Sequence, residues 1–290
     1  MTGPGPTSER LVIAHLFPAL LNLYGDLGNI QVLARRARWR GFDVEVREIA
    51  EEDGRRLADV DVIVIGGGPD SLQAAVGRGL HQLAPELRAV IGEGASLLAV
   101  CGGYQNLGHL YRSPLIGEVR GPALLDVSTH ANGQERRLVG GVVVQLPADS
   151  PIAHVGRASA AAAGHPAAAR LLVGFENHAG RTKLGPDARA LGDVVVGGGN
   201  DGRGREGIIA MPGEGGLAGV RVGTYLHGPI LARNPHLADF LLLAALRRRG
   251  VEALDLLDDR AEWTAHATFT ARWLALLGPA NGKPAGSHVV

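Results

Sequence analysis

A single cysteine, Cys101, stands in the run Ala99-Val100-Cys101-Gly102-Gly103-Tyr104-Gln105. The apolar stretch Ser96 to Val100 reads as a short buried strand ending at the cysteine, and glycines lead from it toward a helix. This is the pattern of a nucleophile elbow. The sharp turn exposes the thiol, the small neighbours let a substrate approach, and a helix N-terminus favours the thiolate. A lone cysteine is more often a plain core residue. Its place at a strand–glycine–helix junction, where open α/β sheets bind ligands, turns the reading toward a nucleophile.

A thiol nucleophile needs a base within hydrogen-bond reach. His227, in Tyr225-Leu226-His227-Gly228-Pro229, follows an apolar strand and sits beside a turn. His178, in Phe175-Glu176-Asn177-His178-Ala179-Gly180, is the rival; His81, His109, His130 and His236 have weaker contexts. The third chemical element is Gly66-Gly67-Gly68-Pro69-Asp70. Consecutive glycines leave backbone N–H groups free to face an anion, so Gly67 or Gly68 together with Gly102 would make an oxyanion hole. The Gly-Lys-Ser/Thr ending of a phosphate-binding P-loop is absent. Gly202, Gly204 and Gly207 match a dinucleotide-binding spacing, but a strand-like segment follows where that motif needs a helix. The histidines show no metal-ligand spacing.

Positioning these groups requires strands that end at one edge. Leu11 to Phe17 reads as a buried strand, Asp43 to Ile49 alternates as a strand, and Val60 to Ile65 is an apolar β-branched run that breaks at the glycines. Between the first two, Asn29 is placed to cap a helix whose apolar face is Ile30, Leu33, Ala34 and Ala37, with Gly41 ending it. Ser71 to Ile91 and Tyr104 to Leu110 read as helices. Strands alternating with helices predict an α/β fold, a largely parallel sheet with helices on both faces. The second half is strand-rich: Leu138 to Leu146, Leu171 to Phe175, Asp193 to Val196, Gly207 to Met211 and Val220 to Tyr225. Asn234 and Pro235 open a helix to Arg249. His154 to Ala169 reads as an Ala-rich insertion, a loop or short helix, and Gly197 to Gly207 as a mobile loop. The organisation expected is a disordered N-terminus over 1–10, one domain over 11–250, and an extension over 251–290 that is helical around Trp263 to Leu277 and then disordered.

The 29 basic residues balance the 29 acidic ones, which argues against a nucleic-acid or membrane-surface protein. The arginines at 35, 36, 38 and 40 and at 247–249 read as a solvated helix face and a helix C-terminus. One cysteine excludes an internal disulfide, and the first ten residues lack a signal peptide's apolar stretch; a cytoplasmic protein is expected.

Taken together, Asn22-Leu23-Tyr24-Gly25-Asp26-Leu27-Gly28-Asn29, Gly66 to Asp70, Cys101 with Gln105, Gly174 to His178, and Tyr225 to Pro229 resemble the class I glutamine amidotransferases. The branch is the cobyric-acid-synthase-like one, whose motif ends in Tyr-x-His-Gly, and the likeness is strongest to its GatD-type glutaminase subunits of lipid II isoglutaminyl synthase. It covers about Leu11 to Arg249. The resemblance implies a flavodoxin-like fold, Cys101 as nucleophile, His227 as base, and Arg137 as the residue holding the glutamine carboxylate, with Arg136 as fallback. It implies Gln105, Gly67, Gly68 and Gly102 around the substrate, and no cofactor in this chain. The implied partner is a MurT-type ligase that uses ATP to activate the D-glutamate of lipid II and receives the ammonia. Many relatives carry a Glu two residues after the histidine, where this chain has Pro229. Asp26 is one candidate for the missing acid, and an acid from the partner is the other. The remaining readings are a glutaminase serving another acceptor, such as a corrinoid carboxylate, a stand-alone cysteine hydrolase, and a non-catalytic partner-binding module of the same fold.

Overall fold

The computed structural model describes residues 10–50, 57–213 and 216–276. The tail from Gly278 and all of the expected disordered N-terminus except Arg10 lie outside that range; Arg10 itself opens the first strand. The elements run β1 (Arg10–Leu16), α1 (Leu27–Trp39), β2 (Asp43–Ile49), β3 (Val62–Ile65), α2 (Gln73–Gln82), α3 (Ala84–Gly92), β4 (Ser96–Val100) and α4 (Gly102–Asn106). Then come β5 (Leu110–Ser113), β6 (Gly117–Arg120), β7 (Val127–His130), β8 (Leu138–Gln145), α5 (Pro151–Ala162), β9 (Leu171–His178), β10 (Arg181–Leu184), β11 (Gly192–Val196), β12 (Arg205–Glu206) and β13 (Ile208–Ala210). β14 (Arg221–Thr224), α6 (Ile230–Arg233), α7 (Pro235–Leu246) and α8 (Arg260–Ala275) complete the described chain.

The central sheet has the order β13-β14-β4-β3-β1-β2, parallel except for β13. This is the flavodoxin-like order with an antiparallel edge strand, and β3 and β4 are buried along their whole length, as strands covered on both faces must be. The register aligns Leu16 with Ile65, Ile65 with Ala99, and Val100 with Thr224. The chain therefore leaves β1, β3, β4 and β14 at one carboxyl edge, where such sheets place their sites. α1 packs with α7 on one face, and α2 packs with α4 on the other. Every residue of α7 is buried, which explains why its sequence is apolar apart from His236 and Asp239.

Two four-stranded sheets flank this core. One, β10-β7-β5-β6, lies in a region where the sequence suggested a longer helix; α4 stops at Asn106 and β5 begins four residues later. The other, β12-β11-β8-β9, is antiparallel and is tied to the central sheet by paired backbone bonds between Phe175 and His227. The stretch 71–91 is two helices meeting at Leu83. Asn234 takes the expected N-cap position of α7 ahead of Pro235, but its side chain makes no capping bond, and Asn29 does not cap α1. Asn29 lies inside α1 and accepts from the Leu231 N–H, while Asn234 pairs with both backbone groups of Val173. Each ties together segments far apart in sequence, a long-range demand that overrides local capping preference.

The Ala-rich insertion is α5, and α8 of the extension packs on it. Trp263 is fully buried there and donates to Ser159 Oγ at 3.1 Å. The join to α1 is ionic. Arg36, a member of the expected solvated face, is 2 % exposed and forks between Asp239 and Asp259, both at 2.7 Å; Arg40 also reaches Asp239. The helix face is occupied because α7 and the lead into α8 bring carboxylates onto it. Removing the guanidinium would leave two buried carboxylates short of a partner, so Arg36→Met is expected to cost about 3–5 kcal/mol in urea unfolding. A loss under 1 kcal/mol would show the network to be dispensable.

Candidate active site

Cys101 follows β4 with φ 48° and ψ −103°, a left-handed backbone that costs a non-glycine residue roughly 1–2 kcal/mol. Its N–H donates to Thr224 O at 2.8 Å and its carbonyl accepts from Gln105 N at 2.9 Å. The turn is thus held between β14 and α4, and the residue is 8 % exposed. Glycine is required next. A Cβ on Gly103 would stand 2.8 Å from the Ile65 side chain and 2.9 Å from Gly66 O. The cysteine turn and the triple-glycine loop approach each other more closely than side chains would allow.

His227 is fully buried. Its Nδ1 faces Asp26 Oδ1 at 3.4 Å, the long end of a hydrogen bond. The other oxygen of Asp26 accepts the Gly67 N–H at 2.6 Å. His227 Nε2 has no hydrogen-bond partner among the described residues. Burial works to lower the imidazole pKa, but the Asp26 carboxylate and the neighbouring Cys101 outweigh it and push it up to about 10. Gly67 fits between the two reactive groups: a Cβ there would lie 2.7 Å from His227 Cε1 and 3.2 Å from Cys101 Cβ. Pro229, where many relatives place an acid, rests its ring against Gly28 in the first turn of α1, which Asp26 precedes.

The oxyanion expectation is narrowed by the same carboxylate. The Gly67 N–H is committed to Asp26, so it is not an available donor. Gly103 N–H is committed to Gly66 O at 3.1 Å. The N–H groups of Gly68 and Gly102 meet no acceptor among the described residues. They are also close together: a Cβ on Gly102 would be 3.1 Å from Gly68 N.

Gln105 faces inward. Its amide donates to the Tyr225 hydroxyl at 3.1 Å and accepts from Gln73 at 3.4 Å, so both ends are used by the protein. The rival base His178 is committed elsewhere: Nδ1 lies 2.9 Å from Gly180 O and the ring stacks flat on Tyr225 with centroids 3.5 Å apart. Arg137 is exposed at the rim. It donates to the side-chain and backbone oxygens of Asn177, and Asn177 donates to the Tyr24 hydroxyl at 2.6 Å. The Tyr24 ring meets His227 edge-on, with centroids 4.9 Å apart. Arg136 contributes its carbonyl to Arg181. Asp26, Gly67, Cys101 and His227 are therefore brought into one cluster, with Gly68 and Gly102 beside it and Arg137 one relay away. Among the described residues, no group of His, Cys, Asp and Glu is arranged to hold a metal ion.

Residues 12–235, which contain all of these groups, match the CobB/CobQ-like glutamine amidotransferase domain. The chain belongs to that family. It is 37% identical over 244 residues to subunit GatD of the glutamine-hydrolyzing lipid II isoglutaminyl synthase of Staphylococcus aureus, covering 84% of this chain and 87% of that protein. The Streptococcus pneumoniae GatD subunit is 32% identical, with 83% and 82% covered. A cobyric acid synthase of Nocardia farcinica is 29% identical over 64% of this chain and 31% of its own length. Among solved structures, the glutaminase domain of Trypanosoma brucei CTPS with bound acivicin has the same fold, at TM-score 0.51 and 11% identity, covering 86% of this chain and 97% of that one.

Behind the amidotransferase site lies a buried acid that the sequence did not single out. Glu206 Oε1 accepts from Thr224 Oγ1 and Tyr225 N, both at 2.7 Å, and so anchors the strand end that delivers His227. Its Oε2 has no partner among the described residues. Glu176 pins the adjoining loop by accepting from Gly198 N and Gly199 N at 2.7 and 2.8 Å, and Asn200 clasps Gly207. The expected mobile loop is therefore tied down at both ends, through polar contacts that no local pattern signals. Burial pushes the Glu206 carboxyl up to about 7, with Glu176 adding to it, against the hydrogen bonds from Thr224 and Tyr225. A raised carboxyl stabilises the fold fully below its ordinary value of 4.5 and loses that contribution as pH rises through about 7. The loss amounts to roughly 3 kcal/mol at most. Glu206→Gln keeps the Oε1 acceptor and removes the titration, so its stability relative to the parent should rise between pH 5 and pH 8 in denaturant titrations. Parallel pH profiles for the two proteins would refute the assignment.

Proposed function

We propose that this chain is the glutaminase subunit of a lipid II isoglutaminyl synthase: it hydrolyses L-glutamine and passes ammonia to a MurT-type ligase. The observation carrying the catalytic part is the Asp26 carboxylate, which reaches both the imidazole of His227 and the loop beside Cys101. The acceptor rests on the GatD relatives, of whose length the match spans 87% and 82%.

In this reading the Cys101 thiolate attacks the side-chain amide carbon of glutamine. The carbonyl electrons move onto oxygen, which accepts from the Gly68 and Gly102 N–H groups, each contributing roughly 3 kcal/mol to the transition state. Collapse expels the amide nitrogen, and His227 Nε2 supplies its proton. The neutral imidazole then takes a proton from water as the water attacks the thioester. The tetrahedral adduct collapses, glutamate leaves, and the thiolate and imidazolium are restored. Asp26 holds Nδ1 and favours the imidazolium that precedes ammonia departure. Arg137, at the rim, receives the substrate's α-carboxylate through a two-pronged guanidinium. Gln105 acts through Tyr225 and α4, as a support for the elbow. The proposal puts ATP on the ligase and the chain in the cytoplasm; among the described residues no helix is long and apolar enough to cross a membrane.

Two measurements test this. With the companion ligase present, Cys101→Ser should lower glutamate release on the order of 10⁴-fold, while free ammonium restores amidation of the lipid II D-glutamate. Equal glutamate release by parent and variant would remove the catalytic claim, and amidation that ammonium cannot rescue would remove the ammonia-donor role. The alkaline limb of the kcat/KM profile should report His227 near pH 10, since loss of its proton removes the acid. Asp26→Asn deletes one of the groups holding that proton. It is expected to move the limb toward neutrality and to lower kcat by about 10²–10⁴. An unmoved limb would point to an acid supplied by the partner.

A further inference from the structure

Tyr24 is an unusual residue to find where it is. It has φ 54° and ψ 27°, the left-handed region, and Gly25 follows at φ 79°. The residue is 43 % exposed although its side chain is large and mostly apolar. A bulky residue holds that backbone only where its surroundings demand it. Here the demand is visible. The turn lays the ring edge-on against His227 at 4.9 Å and against Phe175 at 5.8 Å. The hydroxyl accepts from Asn177 Nδ2, and the oxygens of Asn177 are taken by Arg137. Phe175 is itself bonded to His227 through backbone at 2.7 and 3.2 Å. A continuous chain of contacts thus runs from the rim guanidinium, through Asn177 and Tyr24, to the imidazole.

We propose that Tyr24 is a positioning residue that couples recognition of the glutamine α-carboxylate at Arg137 to placement of the His227 imidazole. The inference rests on the glutaminase reading and on Arg137 as carboxylate site. The guanidinium's Nε and Nη2 donate to Asn177 Oδ1 and O. A carboxylate arriving at Arg137 competes with Asn177 for those donors, and the freed Asn177 oxygens change the bond that fixes the Tyr24 hydroxyl. The ring lies directly on His227, so the bound carboxylate is felt at the base. A substrate without a carboxylate makes no such exchange and meets an imidazole in its resting position. Tyr24 touches neither the reacting carbon nor the thiol in this scheme; it acts through His227.

The test uses the full chain with its companion ligase and follows ammonia release from two substrates, L-glutamine and its α-carboxamide analogue, in which the carboxylate is neutralised. The parent should favour glutamine in kcat as well as in KM. Tyr24→Phe keeps the ring on His227 and removes the hydroxyl. It is expected to lower kcat for glutamine about tenfold, with KM changed less than threefold, and to leave kcat for the analogue unaltered. Asn177→Ala breaks the chain one link earlier and should give the same collapse of the kcat ratio. The pH profile of iodoacetamide alkylation at Cys101 should be unchanged in Tyr24→Phe, because the ring still covers the imidazole. Equal losses on both substrates, or no loss on either, would overturn the coupling and leave Tyr24 a structural residue. A parent that releases no ammonia from glutamine would instead remove the glutaminase reading, and the coupling with it.

Discussion

The carboxylate of Asp26 is the contact on which the rest of the site depends. One oxygen faces the His227 imidazole and the other takes the Gly67 N–H. Charge and geometry are thereby solved together. The same group that favours a protonated imidazole also holds the glycine loop against the cysteine turn, at a separation no side chain on Gly67 would permit. Losing it would release both the His227 imidazole and the loop that carries Gly68. With Pro229 where many relatives place an acid, the carboxylate here arrives from a different strand than the histidine. The turn after β1 provides that route, with Pro229 seated on Gly28 to fix the distance between the two turns.

The surrounding architecture serves that junction. Four parallel strands finish at one edge because their register is level, and each delivers one part: Asp26 after β1, the glycines after β3, Cys101 after β4, and His227 after β14. The antiparallel sheet adds a second hold on His227 through Phe175, and Glu206 holds the residues just before it. The histidine main chain is thus fixed from two sides, which is what a buried group at such a short turn needs. Farther out, α8 clamps α5, and its leading Asp259 shares Arg36 with α7. That places the C-terminal extension in contact with α1, the helix that starts one residue after Asp26.

Polar groups buried without a full complement of partners lie close to this assembly. His227 Nε2, His178 Nε2 and Glu206 Oε2 are among them. Groups of this kind cost stability and persist where function or positioning requires them. His227 Nε2 is the clearest case, since it is the ring nitrogen left without a partner among the described residues while Nδ1 faces Asp26.

Much of the cluster was legible in the residues themselves. A strand–cysteine–glycine junction is a local pattern, and so are a triple glycine after a β-branched run and a histidine after an apolar strand; the backbone of a few adjacent residues suffices to fix each. The alternation of strands and helices likewise implied a parallel sheet. What remained open was everything set by long-range contact. The choice of His227 over His178 depends on which imidazole meets Asp26, 201 positions away in the chain. The loss of Gly67 as an oxyanion donor depends on the same carboxylate. Asn29 is drawn inside α1, the Asn234 side chain turns from its N-cap position to Val173, Arg36 left the surface, and the loop after Gly197 became anchored, because partners distant in sequence supplied stronger bonds. Residue type and local spacing determined what chemistry was available; only packing across the sheet edge decided which groups meet, since hydrogen bonds and ion pairs act over a few ångströms of space and take no account of separation along the chain.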